Sequence, residues 1–319
     1  MDEMKFSQIE DKKEFYTSAL VVNAEVKPSK NGDYCDLTLA RRDGTVNAKV
    51  WKIGEFEASC PGIVKRLAHE SGLVIKVWGK GNLFNNDMQL VVGRITIATE
   101  AKKEDFMPAS SRDPEEMKKE FDVFMGSIKN TEISALLSAM FSGEIKEQFF
   151  TSPAAQGFHH NYVYGLLEHT MQMCKLADKT AAEYPEGTFD RDILMAGILL
   201  HDIGKVVEYK NTFGFIERTD EGRLIGHIVI GAEMVHEAAK TITIDPVTVQ
   251  KITHIILSHH GKPEFGAVML PRTPEAFLVH MIDNIDAKTR KFMDLRAARS
   301  EGVVWTGYEK MFETEVFFG

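Results

Sequence analysis

Ile198-Leu199-Leu200-His201-Asp202-Ile203-Gly204-Lys205 constrains this chain more than any other stretch. An apolar run ends in an imidazole beside a carboxylate. A helix that buries Ile198, Leu199 and Leu200 delivers two metal ligands at its C-terminal end. Gly204 then reads as the residue that lets the chain leave in a left-handed conformation. Imidazole with carboxylate suits Mn, Fe, Co, Ni, Zn or Mg rather than soft-ligand chemistry. By itself a His-Asp pair at a helix end is often a capped, solvated terminus, so the argument turns on its company.

That company is ordered. His169 lies in Gly165-Leu166-Leu167-Glu168-His169, and His201-Asp202 follows. Then come His227 in Gly226-His227-Ile228, the pair His259-His260 before Gly261, and Asp283 in Met281-Ile282-Asp283-Asn284. The order H…HD…H…HH…D resembles the HD-domain superfamily of metal-dependent phosphohydrolases, over roughly residues 155 to 290. In that superfamily His169, His201, Asp202 and Asp283 match the positions that hold one metal. His227, His259 and His260 match those that recruit a second, and Lys205 matches a lysine near the scissile phosphate. The HD-GYP branch of cyclic-dinucleotide phosphodiesterases is similar up to the paired histidines. It then requires Gly-Tyr-Pro, where this chain reads Gly261-Lys262-Pro263.

The resemblance implies the chemistry. Two metals a few ångströms apart generate a hydroxide and clamp the developing charge on phosphate. On this reading Asp202 bridges them, and Lys205 reaches a non-bridging oxygen. His254, His280 and His236 sit at helical positions among apolar neighbours and read as core or supporting residues. Asp286 reads as a helix-face acid that supports the ligands. His160, just before the first ligand helix, is a candidate substrate contact.

With 319 residues the chain has room for two domains, and a 44% hydrophobic content supplies their cores. No apolar run approaches the ~18 residues that cross a bilayer. The charged N-terminus lacks a signal-peptide core. Cys35, Cys60 and Cys174 are dispersed, which predicts reduced thiols, a cytoplasmic protein and no cysteine zinc site. Residues 1–100 carry 14 acidic and 14 basic side chains, so the remainder holds the whole net charge of −9. An acidic domain suits a phosphate substrate where metals supply the local positive charge.

The first hundred residues alternate as strands. Leu20, Val22, Ala24 and Val26 form one inward line, and Cys35, Leu37 and Leu39 a second. Val46, Ala48 and Val50 form a third. Asn31-Gly32, Arg42-Asp43-Gly44 and Asn85-Asn86-Asp87 mark turns. One short helix follows Pro61, with Ile63, Val64 and Leu67 on one side. Strands over Leu73 to Val77 and Leu90 to Ile97 complete the set. Three strands, a helix and two strands is the order of an OB-fold barrel, a fold that binds single strands. The face opposite its core carries Lys49, Trp51, Lys76, Trp78 and Lys80, the aromatic-plus-basic pattern of base stacking with phosphate contact. Residues 101 to 112 read as a linker. Asp113-Pro114, Asp245-Pro246 and Thr273-Pro274 each read as a helix start.

The expected architecture is therefore multidomain α+β. Residues 1–104 form a five-stranded OB-fold barrel, and residues 113–319 an all-α HD-domain helical bundle. A barrel followed by this HD signature resembles the YhaM family of 3′→5′ exoribonucleases along essentially the whole chain. Leu257-Ser258-His259-His260-Gly261-Lys262-Pro263-Glu264-Phe265-Gly266 and His280-Met281-Ile282-Asp283-Asn284-Ile285-Asp286-Ala287-Lys288 are similar to it in detail. One departure is Tyr162-Val163-Tyr164-Gly165, where relatives often carry two adjacent glycines. The resemblance implies a hydrolase using one or two divalent ions, Mn²⁺ foremost, with Co²⁺, Mg²⁺, Fe²⁺, Ni²⁺ or Zn²⁺ as alternatives. It would shorten single-stranded RNA or DNA, without a membrane. The rival readings are a phosphohydrolase of small or cyclic nucleotides and a non-catalytic nucleic-acid binder. Phe317-Phe318 near the end reads as a surface for homo-oligomerisation.

Overall fold

A computed structural model describes residues 2–30, 32–70, 72–84, 87–101, 106, 110–154, 162–212, 215–299 and 302–319. Asn31, Asn85, Asn86, most of the expected linker and the candidate His160 lie outside these. The chain divides into two compact units, Met1–Ala109 with Asn211–Phe215, and Ser110–Lys210 with Ile216–Gly319.

The first unit is a closed barrel of β1 (Glu14–Lys27), β2 (Tyr34–Arg41), β3 (Gly44–Val50), β4 (Val74–Phe84) and β5 (Asp87–Ile97). Around the barrel the strands run β1-β2-β3-β5-β4, and β4 returns to β1. β1–β2, β2–β3, β4–β5 and β1–β4 are antiparallel, and a short parallel pairing of Asn47–Lys49 with Gln89–Val91 closes the wall. This is OB-fold topology. β2 and β3 alternate as their sequence predicts, with Cys35, Leu37, Leu39, Val46, Ala48 and Val50 all buried in the core.

β1 does not follow the expected line. Val26 is exposed, and of the expected residues Ala24 packs against the core, while the core contacts before it come from Phe15, Ala19 and Val21. A register shift between Val21 and Asn23 explains this. One extra residue at a bulge reverses which side chains face in, so parity read across it fails. Between β3 and β4 the expected single helix is two, α1 (Ile53–Ser59) and α2 (Ile63–His69), divided around Pro61. Proline cannot continue a helix that already has a turn behind it.

The second unit is helical. It contains α3 (Pro114–Gly126), α4 (Thr131–Met140), α5 (Gly143–Thr151), α6 (Gly165–Ala182), α7 (Arg191–Leu200), α8 (Lys205–Glu208), α9 (Asp220–Leu224), α10 (His227–Ala239), α11 (Pro246–Ser258) and α12 (Pro274–Ala298). The predicted starts hold. The side chains of Asp113, Asp245 and Thr273 each accept a hydrogen bond from a free N–H of the first turn, with proline next in sequence. α7 is buried from Ile193 to Leu200, all round its axis, so it is the central helix of the unit. α6, α11 and α12 contribute to the same core through Leu166, Met173, Ile252, Ile255, Val279 and Ile282. Two small two-stranded sheets accompany the helices, β6 (Tyr209–Thr212) beside β7 (Phe215–Arg218), part of which falls in the first unit, and an antiparallel hairpin of β8 (Trp305–Glu309) with β9 (Thr314–Phe317) after α12. Their strands are too short for periodicity to reveal. Phe317 lies exposed on β9. No described helix is long and apolar enough to cross a membrane.

Candidate metal centre

The central helix α7 stops where its polar residues begin. His201 caps its C-terminus, and its Nδ1 donates to the Ile198 carbonyl at 2.7 Å. α11 repeats the device: His259 caps it, and Nδ1 donates to the Ile256 carbonyl at 2.8 Å. A carbonyl only accepts, so in each neutral ring the proton sits on Nδ1 and Nε2 keeps its lone pair. Both rings are almost fully buried and point the bare nitrogen inward.

Asp202 sits at the centre, and its two oxygens face different groups. Oδ2 lies 3.2 Å from His201 Nε2 and 3.9 Å from His169 Nε2. Oδ1 lies 3.4 Å from His227 Nε2 and 3.5 Å from His259 Nε2. Around it stand two sets of ligand atoms, each within 4.8 Å of one another: His169, His201 and Asp283, and His227, His259 and His260. All seven candidate ligands thus come together.

His169 and His227 are aimed by distant acids. His169 Nδ1 donates to Asp286 at 2.7 Å, and its Nε2 lies 3.3 Å from Asp283. His227, the first residue of α10, donates from Nδ1 to Glu208 at 2.7 Å. Glu208 is buried at the end of α8 and also meets Arg218 at 3.2 Å. Carboxylates behind ligating imidazoles fix ring orientation and raise basicity. Asp286 takes the supporting role expected of it. Glu208 went unread, because an acid three residues after Lys205 carries no signal of where His227 will come to lie.

The charges follow from this packing. Burial pushes the His169 imidazole down, but Asp283 and Asp286 outweigh it and hold it up at about 10. Its proton is a charge of the sign a cation would bring. Burial lowers His201 and His227 against the pull of Asp202 and Glu208, and lowers His260 to about 3. These three rings are neutral donors at physiological pH. Burial would raise Asp202, yet Lys205 and His201 hold it well below the usual carboxylate range. Burial likewise opposes the charge of Asp283, and His169 outweighs it downward. Lys205 Nζ reaches Asp202 Oδ2 at 2.5 Å, and this carboxylate keeps the buried ammonium charged.

Does a metal fit these residues? Asp202 Oδ1, His227 Nε2, His259 Nε2 and His260 Nδ1 are buried and make no hydrogen bond to any described residue. Each such group costs roughly 1–3 kcal/mol if nothing satisfies it. Four orphans in one pocket, all nitrogen or carboxylate oxygen, are the donor set of a divalent cation.

Gly204 does not play the part expected. Its φ is −62°, ordinary right-handed backbone. Space is the reason for it. A Cβ there would lie 2.1 Å from the His227 carbonyl oxygen and 2.7 Å from Gly231 N. The glycine lets α10 press its first turn against the His-Asp segment and so brings His227 to Asp202. Gly261, by contrast, does have a positive φ of 77°, and a Cβ on it would strike the His280 ring. That ring donates from Nδ1 to the His259 carbonyl at 2.9 Å, steadying the paired histidines. His254 Nε2 accepts from the Arg272 backbone N–H, while His236 is exposed rather than in the core.

Tyr162, at the departure from the glycine pattern, donates to Glu168 at 2.7 Å, and Arg290 meets the same buried carboxylate at 3.2 Å. This knot ties the chain ahead of α6 to α12, on the residue preceding His169.

On the barrel, the five predicted contact residues lie outside the core. Register aligns Lys80 with Val91 and Val91 with Lys49, so the two lysines flank β5 on its outer side. Trp78 stacks on Tyr16 at 4.8 Å, with the Arg94 guanidinium 5.0 Å from its centroid. Trp51 lies 4.8 Å from Tyr34, and Lys49 stands over both rings. Lys76 pairs in register with Ser18 and Thr96. Tyr16, Tyr34 and Arg94 are further members that the strand alternation alone did not single out.

The HD domain family matches residues 166–288, the span that holds all seven candidate ligands. The 3′-5′ exoribonuclease YhaM of Listeria monocytogenes is 33% identical over 273 residues, covering 84% of this chain and 83% of the relative. Its namesake from Shouchella clausii is 35% identical over 266 residues, 82% of this chain and 79% of the relative. That from Halalkalibacterium halodurans is 33% identical over 274 residues, 84% and 82%. Among solved structures, the second OB-fold domain of replication protein A from Methanococcus maripaludis aligns with 32% of this chain and 99% of its own, at 18% identity and a TM-score of 0.24. With identity of this level over more than four fifths of its length, the chain belongs to the YhaM family of 3′-5′ exoribonucleases.

Proposed function

We propose that this protein is a divalent-metal-dependent hydrolase that shortens single-stranded RNA from its 3′ end, with single-stranded DNA as a secondary substrate. The observation that carries the reading is Asp202, whose two oxygens face two separate sets of metal-capable ligands. His169, His201, Asp283 and Asp202 would hold one ion. His227, His259 and His260 would hold the other, with Asp202 between them. The nitrogen-and-oxygen donor set admits a range of divalent ions, among which the resemblance to the family makes Mn²⁺ the one we favour. When bound, such ions supply an acidified water and positive charge against the phosphate oxygens.

The chain's own residues do the rest. His201 and His259 keep their Nε2 lone pairs pointed inward through hydrogen bonds to their own helices. Asp286 and Glu208 hold the His169 and His227 rings in place. Lys205 brings a fixed positive charge to the same centre, where a phosphate oxygen would be drawn. Hydrolysis joins a water oxygen to phosphorus and breaks the P–O3′ bond, and the leaving O3′ gains a proton. The outer wall of the barrel, with Lys49, Trp51, Lys76, Trp78 and Lys80, would hold the strand by stacking and charge.

A 5′-labelled single-stranded RNA of about 20 nucleotides, incubated with Mn²⁺, tests this. A descending ladder of labelled products, absent with Asp202→Ala, is expected. A strand left intact by metal-loaded protein that still hydrolyses mononucleotides or cyclic nucleotides refutes it in favour of a small substrate.

A further inference from the structure

A cavity of about 650 Å³ opens beside the metal centre, and His260 and Asp283 form part of its wall. Its other walls come from the α12 face that carries Asn284 and Lys288, from Phe265, and from Lys310 to Glu313. The last four residues are the tip of the β8–β9 hairpin, between Glu309 and its partner Thr314. The hairpin is fixed on α12 at two points. Lys291 pairs with Glu309 at 3.4 Å, and Phe292 stacks on Phe312 with centroids 4.0 Å apart. That stack props the Phe312 ring at the cavity wall. Lys288 and Lys310 are in no ion pair with a described residue, in a chain whose net charge is −9. Two unneutralised cations and two aromatic rings thus converge next to ligands of the metal centre.

We propose that this cavity holds the 3′-terminal nucleotide of the strand. The terminal base stacks on Phe312, Phe265 adds a second aromatic ring to the lining, and Lys288 and Lys310 meet phosphate oxygens. The volume fits: pockets for small ligands run from about 300 to 1,000 Å³, the range of one or two nucleotides. Contiguity fits too, because a phosphate placed against His260 and Asp283 puts its 3′ nucleoside within the cavity. The strand end is then recognised by a hairpin of the helical unit itself, and the barrel need only hold the strand further upstream. This inference rests on the exonuclease reading of the same centre.

The test is a cycle of two changes, one in the protein and one in the RNA. Wild type and Phe312→Ala are each given a 5′-labelled RNA and the same RNA lacking its 3′-terminal base. Stacking of a base on an aromatic ring supports a loss of about 5- to 150-fold in kcat/KM when either partner is removed. The two losses should not add: Phe312→Ala should treat both RNAs alike, and Phe312→Tyr should restore the preference. Lys310→Ala, at an exposed tip where the fold is indifferent, should raise KM and leave kcat. It should also reduce the slope of log affinity against log salt by about 0.7, the share of one phosphate on a single strand. If wild type shortens RNA yet Phe312→Ala still discriminates against the baseless end as wild type does, the cavity assignment fails and the exonuclease reading stands. If wild type shortens no strand, both fall.

Discussion

Replacing Gly204 by alanine tests why a glycine follows the His-Asp pair. Were it there for a left-handed turn, alanine would be strained by roughly 1–2 kcal/mol and nothing around it would move. At a φ of −62° no such strain arises, and alanine would be favoured over glycine by about 0.5–1 kcal/mol in a helical segment. Space opposes it. The new methyl would stand 2.1 Å from the His227 carbonyl oxygen, where ordinary contact begins at 3.4 Å. That neighbour is backbone and cannot rotate away, so the start of α10 must retreat. Overpacking of a core typically costs 1–3 kcal/mol, and immobile neighbours place this case near the top, about 3 kcal/mol. For a unit of this size the melting temperature should fall by roughly 6–12 °C. The retreat also carries His227 away from Asp202. Titration with Mn²⁺ should then show the His227, His259 and His260 set weakened by about 10-fold or more, as when a supporting group is lost. The His169, His201 and Asp283 set, built on α6, α7 and α12, should be unaffected. Gly231→Ala is the control, since its nearest contacts are 3.3 Å, tight but relievable. A Gly204→Ala protein that melts with wild type and binds metal alike, or a Gly231→Ala protein that falls equally, would refute the reasoning.

Further outcomes follow from the same geometry. Glu208→Gln removes the carboxylate behind His227 and should weaken metal binding about 10- to 100-fold, read by Mn²⁺ titration; an unchanged affinity would mean that Glu208 serves only Arg218. Adding the ion at about 100 times its Kd should stabilise the protein by about 2.7 kcal/mol, and chelation should abolish the gain; melting indifferent to metal would deny that the orphaned donors bind it. Arg290→Met removes the cation paired with the buried Glu168 carboxylate and should cost about 3–5 kcal/mol in denaturant unfolding, whereas Tyr162→Phe, which leaves the ion pair, should cost about 1. Equal costs would mean that the charge pair contributes nothing of its own. Trp78→Ala should weaken single-stranded RNA binding by about 1–3 kcal/mol in a fluorescence titration, and no change would remove the barrel wall from the binding surface.

The parts of the fold that sequence made legible are those whose cause is local. Helix starts at Asp113, Asp245 and Thr273 were readable because a cap, a proline and a first turn are consecutive residues. The inward lines of β2 and β3 were readable because they alternate without interruption. β1 departs from plain alternation before Ala24 because a bulge is a relation between two strands, and nothing in Val21-Val22-Asn23 announces it. Likewise the β8–β9 hairpin is held by Lys291 and Phe292 of another element, and its own sequence gives only a few residues of each strand.

The metal centre divides along the same line, and this explains which of its residues were found. His201 and His259 are oriented by carbonyls three residues behind them in their own helices. An apolar helix ending in His therefore already contains the aimed ligand, and the motif can be recognised from the string alone. His169 and His227 are oriented by Asp286 and Glu208, 117 and 19 residues away, so only folding pairs them. Gly204 is the intermediate case. Its presence was conspicuous, yet its reason lies in α10, which it admits to within contact of the His-Asp segment. A local motif can thus supply ligands, but a second set opposite Asp202 requires that two helices approach more closely than any side chain would permit. It follows that a chain keeping every ligand but bearing a larger residue at Gly204 would still match the motif and yet lose the second set.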